Sequence, residues 1–414
     1  MPVLADGSAP GMSQVLTLVL AGGQGERLRP LTERRAKPGV PFGGCYRIID
    51  FTLSNAVNSG LRRICVLTQY ESLTLHRHLR SAWNILNPEL DEFIFMVPPE
   101  LRPPQRWYAG TADAVYQNLM VLQQEQPRWV LVLGGDHIYK MNYLPLLRYH
   151  LDRGAAATVV CTEVPLEEAS RFGLAITDAD GRVLDFREKP EHPEPMPGSQ
   201  DRALASMALY LFDTEALVRA TVDDAKDPSS SHDFGKDVLP RLVGRLPLYA
   251  YNFNSPEQPG EPYWRDVGTI DSYWQANMDL LARRPELDLY DTNWPIRSGI
   301  SHRPPAKVCV STEGTMGVVD QSILAPGAVI SGGHVRRSII GPRVEIHNGS
   351  VVEECVLMGG VNVGKGVDLK RCVVEESAQI PDGTVIGHDL ERDRLKFKIS
   401  EQGVRVIPRR APLP

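Results

Sequence analysis

A chain of 414 residues holds more apolar material than one core needs, so two or three domains are expected. Its 45 basic and 51 acidic side chains leave a formal charge of −6 with both signs mixed, which argues against a nucleic-acid-binding surface. The six cysteines (Cys45, Cys65, Cys161, Cys309, Cys355, Cys372) form no Cys-x-x-Cys pair, and no run approaches the roughly 18 apolar residues of a membrane span. Met1–Ser13 is polar, without a charged-then-apolar leader. A cytoplasmic protein with no membrane and no nucleic-acid partner is expected.

Residues 15–21 read as a buried strand that stops at Gly22-Gly23-Gln24-Gly25. Successive peptide N–H groups in such a loop can bind phosphate oxygens, with Arg27 and Lys37 neutralising charge. The loop lacks the Gly-Lys-Ser/Thr ending of the common ATPase loop and the third glycine of the dinucleotide pattern. Residues 48–60 predict a helix stopping at Gly60, 64–67 a strand, 73–83 a helix, 111–124 a helix and 129–133 a strand running into Gly134-Gly135-Asp136. A helix (143–153) and a strand (157–161) follow. Alternation of this kind predicts a mostly parallel, helix-covered sheet, with ligands beyond the carboxyl ends of its strands. Residues 172–212 turn to short strands, read as a lid-like insertion or a sheet extension. A last helix spans 270–282, and proline-rich 283–306 reads as a linker.

Beyond it aliphatics recur every six residues: Ile323, Val329 and Val335; Ile340, Ile346, Val352 and Met358; Val374, Ile380 and Ile386. That period marks a parallel β-helix, here short and with a slipping register. The expected division is a catalytic domain 1–282, the linker 283–306 and a β-helix domain 307–414.

Asp136 and Asp266 each sit where a carboxylate can serve Mg²⁺, an ion that takes hard oxygen ligands and usually keeps substrate phosphates in its shell. Lys189, in Arg187-Glu188-Lys189-Pro190, is either a solvated charge or an anchor for a phosphate dianion. Ser231, His232 and Asp233 are sequence neighbours, a poor arrangement for a nucleophilic triad. His76 and His78, beside Arg77 and Arg80, read as a solvated basic helix face. Trp107 and Tyr108 pack on a base or on the core.

Seven segments then carry a family resemblance. They are Leu20-Ala21-Gly22-Gly23-x-Gly25-x-Arg27-Leu28, Arg35-Ala36-Lys37-Pro38, Trp107-Tyr108-x-Gly110-Thr111-Ala112-Asp113-Ala114, Gly135-Asp136-His137-Ile138-Tyr139, Phe186-x-Glu188-Lys189-Pro190, Ser231-His232-Asp233-Phe234-Gly235 and Tyr263-Trp264-Arg265-Asp266-Val267-Gly268-Thr269. In this order they resemble the glucose-1-phosphate adenylyltransferases (ADP-glucose pyrophosphorylases) of bacterial glycogen synthesis. The resemblance implies a Rossmann-like mixed, mostly parallel α/β sheet followed by a left-handed parallel β-helix. It implies the reaction ATP + α-D-glucose 1-phosphate → ADP-glucose + pyrophosphate with Mg²⁺, a homotetramer, and sugar-phosphate or other metabolite effectors bound between the domains. By the same resemblance Asp136, Arg27, Lys37 and Asp266 are catalytic, with Asp136 and Asp266 on the metal. Leu20, Ala21, Gly22, Gly23, Gln69, Gly110 and Thr111 face ATP. Tyr108, Gly173, Glu188, Lys189, Ser206, Tyr210, Asp233, Phe234 and Trp264 face glucose 1-phosphate.

Arg34, Arg35 and Arg47, with Arg409-Arg410 at the tail, are the basic residues expected at an effector site. Arg34 stands where enteric members carry lysine, Gly39 where alanine is usual and Ala109 where many carry arginine, so the identity of the activator is open. The rival readings are a nucleotidyltransferase for another nucleotide or sugar, a catalytically silent regulatory subunit, and an acyltransferase built on the β-helix.

Overall fold

The computed structural model describes residues 11–99, 107–254, 258, 262–299 and 302–410; most of the polar amino-terminal stretch lies outside them. Val15–Ala21 (β1) forms the middle of a nine-stranded sheet. Arg63–Thr68 (β2) pairs parallel with one side of β1, and Phe93–Val97 (β3) pairs parallel with β2. Trp129–Gly134 (β4) pairs parallel with the other side of β1. Both neighbours of β1 are buried along nearly their whole length, so these strands are apolar runs without alternation. A short strand, His137–Tyr139 (β5), leaves the sheet just after β4.

Ala157–Pro165 (β6), Gly173–Thr177 (β7), Val183–Glu188 (β8), Arg202–Asp213 (β9) and Leu248–Asn252 (β10) complete the sheet. The stretch 172–212 is therefore a sheet extension rather than a lid. β7 and β8 form an antiparallel hairpin, and twelve-residue β9 runs antiparallel between β4 and β6. Trp264–Asp266 (β11) pairs antiparallel with β5, outside the main sheet.

Helix Ile48–Asn58 (α1) is buried along ten of its eleven residues, polar Asp50, Thr52, Ser54 and Asn55 included. Leu73–Ala82 (α2) is amphipathic, burying Leu75 and Leu79. The helix expected over 111–124 is two: Thr111–Gln117 (α3) and Leu119–Glu125 (α4). Asn118 breaks it by leaving helical geometry, and its amide donates to Ala114 O at 2.7 Å and Tyr108 Oη at 3.0 Å. Tyr143–Asp152 (α5) starts at Asn142, whose side chain accepts from Leu144 N at 2.9 Å.

From Lys307 onward three parallel sheets wind a β-helix. Its inward column runs Ile346, Val352, Leu357, Val363, Leu369, Val374, Ile380, all buried, with steps of six, five and six residues repeating. The apparent register slip is this five-residue step: between His334 and Ile386 paired strands lie 17 apart, as Val352 with Leu369 and Leu357 with Val374. Met358 is therefore not inward. It joins Ile339, Val356, Val373, Val404 and Val406 against Ile270, Trp274 and Met278 of the α/β unit. One face of the β-helix is thus buried on both sides, each aliphatic contributing on the order of 1.5–3 kcal/mol. Arg371 covers the Trp274 ring at 4.5 Å, and Trp274 Nε1 donates to Glu354 O at 2.8 Å.

Between Asp279 and Lys307 the described residues form no helix or strand, yet they are anchored along α1. Trp294 Nε1 donates to Asn55 Oδ1 at 2.9 Å, Arg297 N to Ser54 Oγ at 2.8 Å, and Asn58 Nδ2 to Pro295 O at 3.0 Å.

Candidate active site at the strand ends

The parallel register sets the site. Ala21 lies beside Thr68 and Leu20 beside Gly134, so the residues following β1, β2 and β4 emerge together. Those residues are Gly22-Gly23, Gln69 and Gly135-Asp136. Gly135 N donates to Leu20 O at 3.0 Å, fastening one glycine loop to the other. On β5 and β11, His137 pairs with Asp266, which brings the second acid next to the first.

Lys37 lies between them. Its Nζ donates to Asp136 Oδ2 at 2.9 Å and to Asp266 Oδ1 at 2.8 Å, and the residue is only 6 % exposed. Arg27 Nη2 stands 3.7 Å from Asp266 Oδ2, its side chain largely in solvent. Burial disfavours charge on Asp136, but the Lys37 ammonium and His137 outweigh it and hold the carboxyl well below the usual carboxylate range. Asp266 is lowered in the same way, against its own burial. Burial pulls Lys37 down, and the two carboxylates push it up further still. Four charged groups expected to be catalytic thus converge from separate parts of the chain.

Two hard-oxygen carboxylates at a phosphate-type loop suit a divalent cation that keeps substrate phosphates in its shell. The described residues hold no cluster of three or more His, Cys, Asp or Glu that could bind a metal by itself. The donor set fits an ion shared with substrate, held by Asp136 and Asp266.

Gly22, Gln69 and Tyr108 form a first group beside the acids. A Cβ on Gly22 would lie 3.1 Å from Gln69 Cβ, and Tyr108 N donates to Gln69 Oε1 at 2.7 Å. Tyr108, expected with the sugar set, therefore sits with Gln69 and Gly22. Its neighbour Trp107 is 62 % exposed. A Cβ on Gly23 would meet no atom within 4 Å, so this residue faces open space.

Gly110 and Thr111, expected with ATP, lie against the Ser231–Asp233 loop. A Cβ on Gly110 would collide with His232 O. Thr111 Oγ1 donates to Asp233 Oδ2 at 3.0 Å and accepts from Phe234 N at 2.9 Å. The amino end of α3 is thus the bridge between the two sets.

Glu188 closes the second set. Added Cβ atoms on Gly173 and Gly235 would lie 2.6 and 2.8 Å from Glu188 Oε2. Lys189, exposed, adopts φ 49° and stands 3.2 Å from Glu188 Oε1. Ser206 lies at a bulge of β9, and burial pushes the Tyr210 phenol strongly up. Phe234 is 1 % exposed, and its ring packs 5.3 Å from Tyr210. Trp264 stacks edge-on to Phe172 at 5.6 Å and to His137 at 5.2 Å.

Several residues bearing on the site went unassigned from sequence. Thr52 Oγ1 donates to Gly134 O at 3.1 Å, and Asn55 Nδ2 to Tyr139 O at 3.0 Å, so α1 braces the acid loop. Polar residues inside an otherwise apolar helix were the available signal. A Cβ on Gly268 would lie 2.9 Å from both Arg27 Nη2 and Asp266 Oδ1. His78 is no solvated face: its Nε2 is 2.5 Å from Asp50 Oδ1, which also accepts from Trp83 Nε1 at 2.8 Å. Nor do Ser231, His232 and Asp233 form a triad, since Ser231 Oγ donates to Asp237 Oδ2 at 2.5 Å and His232 turns to Asp224.

Of the basic residues expected at an effector site, Arg35 and Arg47 are already engaged with carboxylates. Arg35 Nη1 donates to Glu376 Oε2 at 2.6 Å and Arg35 Nη2 lies 3.7 Å from Glu375 Oε1. Arg47 Nη2 is 3.7 Å from Glu376 Oε1, and Arg47 also donates to Gly39 O. Arg409 N donates to Glu375 Oε2 at 3.1 Å, which brings the tail to the same seam. Arg34 is exposed.

Parallel strand ends that gather a glycine loop, two carboxylates and a shared lysine define a nucleotide-handling α/β enzyme. A nucleotidyl transferase family model matches residues 16–283, and a GlmU-like C-terminal hexapeptide model matches 304–407. Glucose-1-phosphate adenylyltransferase 2 of Vibrio cholerae is 48 % identical over 96 % of this chain and 98 % of its own length. Glucose-1-phosphate adenylyltransferases of Methylococcus capsulatus (46 %, covering 95 % and 93 %) and Albidiferax ferrireducens (48 %, covering 95 % and 94 %) match similarly. The chain belongs to the glucose-1-phosphate adenylyltransferases, within the nucleotidyl transferase family.

Proposed function

We propose that this chain transfers the adenylyl group of ATP to α-D-glucose 1-phosphate, giving ADP-glucose and pyrophosphate. The observation that carries the reading is Lys37 held between Asp136 and Asp266 beside the glycine loop. A phosphate oxygen of the sugar phosphate attacks the α-phosphorus of ATP; one P–O bond forms, the bond to the β-phosphate oxygen breaks, and pyrophosphate leaves. No proton need move at the phosphorus, so the protein's part is positioning and charge stabilisation.

Lys37 and Arg27 stabilise charge on the triphosphate and on the departing pyrophosphate. Asp136 and Asp266 hold a divalent cation, Mg²⁺ in this reading, which when bound withdraws charge from the phosphates. Gly22, Gly23 and Gln69 receive the nucleotide. Lys189 anchors the sugar phosphate as a point charge, while Glu188 and Asp233 accept sugar hydroxyls.

Regulation belongs to the seam between the α/β unit and the β-helix. Arg34, Arg35 and Arg47 there form an anion site, and a metabolite effector has to compete with Glu375 and Glu376 for it. The protein works as a homotetramer in the cytoplasm, in glycogen synthesis. Support for a reducing compartment comes from six cysteines without a disulfide; no helix among the described residues is long and apolar enough to cross a membrane.

The test is pyrophosphate release with Mg²⁺, glucose 1-phosphate and each of ATP, UTP, dTTP and GTP, with Asp136→Asn as control. Release with ATP that the variant loses is expected. Release with another nucleotide alone would replace the substrate, and no release with any would favour the silent-subunit reading.

A further inference from the structure

His232 touches none of the charged groups gathered at the strand ends, yet its place is strongly determined. It adopts φ 57°, a left-handed conformation that costs a non-glycine residue on the order of 1 kcal/mol. It is 7 % exposed, and its ring Nδ1 donates to Asp224 Oδ2 at 2.7 Å. Asp224, 3 % exposed, ends the helix Thr214–Ala225 and accepts from Ser230 Oγ at 2.6 Å through its other oxygen. Ser230 Oγ in turn accepts from His232 N at 2.9 Å. A buried imidazole and carboxylate therefore hold a strained residue in one conformation.

What that residue presents is its backbone and its successor. His232 O accepts from Ala112 N at 2.8 Å, in the first turn of α3. Asp233 then caps the turn after it, Oδ1 accepting from Gly235 N at 2.9 Å and Lys236 N at 3.1 Å, while Oδ2 takes the Thr111 hydroxyl. Gly235 packs against Glu188. The loop is held between α3 on one side and Glu188 on the other, with the His232–Asp224 pair behind it.

We infer that His232, backed by Asp224, is a positioning residue for the sugar-phosphate side of this reaction: it fixes the loop that carries Asp233 beside Glu188. The inference rests on the adenylyl-transfer reading. It bears first on the sugar side, because Gly235 of this loop lies against Glu188, whereas Gly22 and Gln69 are reached only by way of the amino end of α3.

The decisive variant is His232→Gly, which accepts the left-handed conformation and removes only the imidazole. His232→Asn is the conservative partner, since asparagine also tolerates that conformation and its amide can donate to Asp224. Initial rates of pyrophosphate release are measured with each substrate varied at saturation of the other, alongside thermal melts and calorimetric titration of glucose 1-phosphate. His232→Gly is expected to raise KM for glucose 1-phosphate about tenfold or more, with KM for ATP changed less than about twofold, and His232→Asn to restore most of the loss. Asp224→Asn should shift the same KM in the same direction. Parallel rises in both KM values, no change in either, or failure of asparagine to rescue would overturn the inference. Wild-type turnover tests the reading beneath it separately. If the wild type turns over nothing, the titration decides: sugar-phosphate binding that is about tenfold weaker in His232→Gly upholds the positioning role, and unchanged or absent binding overturns it.

Discussion

Lys37 is the residue on which the charge balance of the site turns. It is the shared counter-ion of two carboxylates that would otherwise face each other, and its removal exposes that repulsion. Lys37→Met is expected to lower kcat about 10²- to 10³-fold, the scale of losing one preorganised charge stabiliser, measured as pyrophosphate release. The same cluster sets a pH signature. Asp136 and Asp266 have lowered values, so their contribution to stability is complete above about pH 4, the unfolded value, and is lost as pH falls toward the folded values. Lys37 has a raised value, so its share is complete below about pH 10.4, the unfolded value, and is lost as pH rises through the folded value. The difference in melting temperature between wild type and Lys37→Met should therefore be largest near neutral pH and shrink as pH falls through the acid range. A difference that grows in acid would contradict the assignment.

At the scale of elements, a glycine after β1 and the glycine before α3 make opposite forecasts. Gly110 is extended at φ −161°, so strain is not its reason; the close approach of His232 O is. Gly110→Ala should displace the Ser231–Phe234 loop, lowering the melting temperature by several degrees and raising KM for glucose 1-phosphate. Gly23 has no atom within 4 Å of an added Cβ, so Gly23→Ala should leave the melting temperature unchanged. Any loss of activity in it reports a ligand passing close to that backbone. In the β-helix, Leu357 is inward and Met358 faces the α/β unit. Leu357→Ala should cost about 2–5 kcal/mol in urea unfolding of the chain. Met358→Ala should instead loosen the seam, read as faster proteolysis between the two units.

For the whole molecule, the seam joins an apolar face to a charged edge. Arg35 and Arg47 reach across to Glu376, and the tail returns to Glu375. An arginine already bonded to a carboxylate offers less to an incoming anion. Glu376→Gln should therefore strengthen the response of the rate to inorganic phosphate or sugar phosphates, about tenfold in half-effect concentration. An unchanged response with an unchanged rate would remove the effector site from this seam.

Sequence by itself determined the central buried strands and the chemistry at their ends. Apolar runs gave β1, β2 and β4, because strands buried on both faces need no alternation. Glycine and acid at the ends of β1 and β4 marked the loops that meet at the strand ends, and a six-residue aliphatic period marked the β-helix. Tertiary structure alone decided what meets. The pairing of β5 with β11 brought Asp266 to Asp136, and Lys37 then fell between them from a loop more than ninety residues away in sequence. It also set Tyr108 against Gln69, and Gly110 and Thr111 against the Ser231–Asp233 loop, contacts that no spacing encodes. The five-residue step in the β-helix was hidden for the same reason: three corners closing one coil is a condition on space. Arg35, Arg47, Glu375 and Glu376 look like separate solvated charges along the chain, and only the docking of the two units makes them partners.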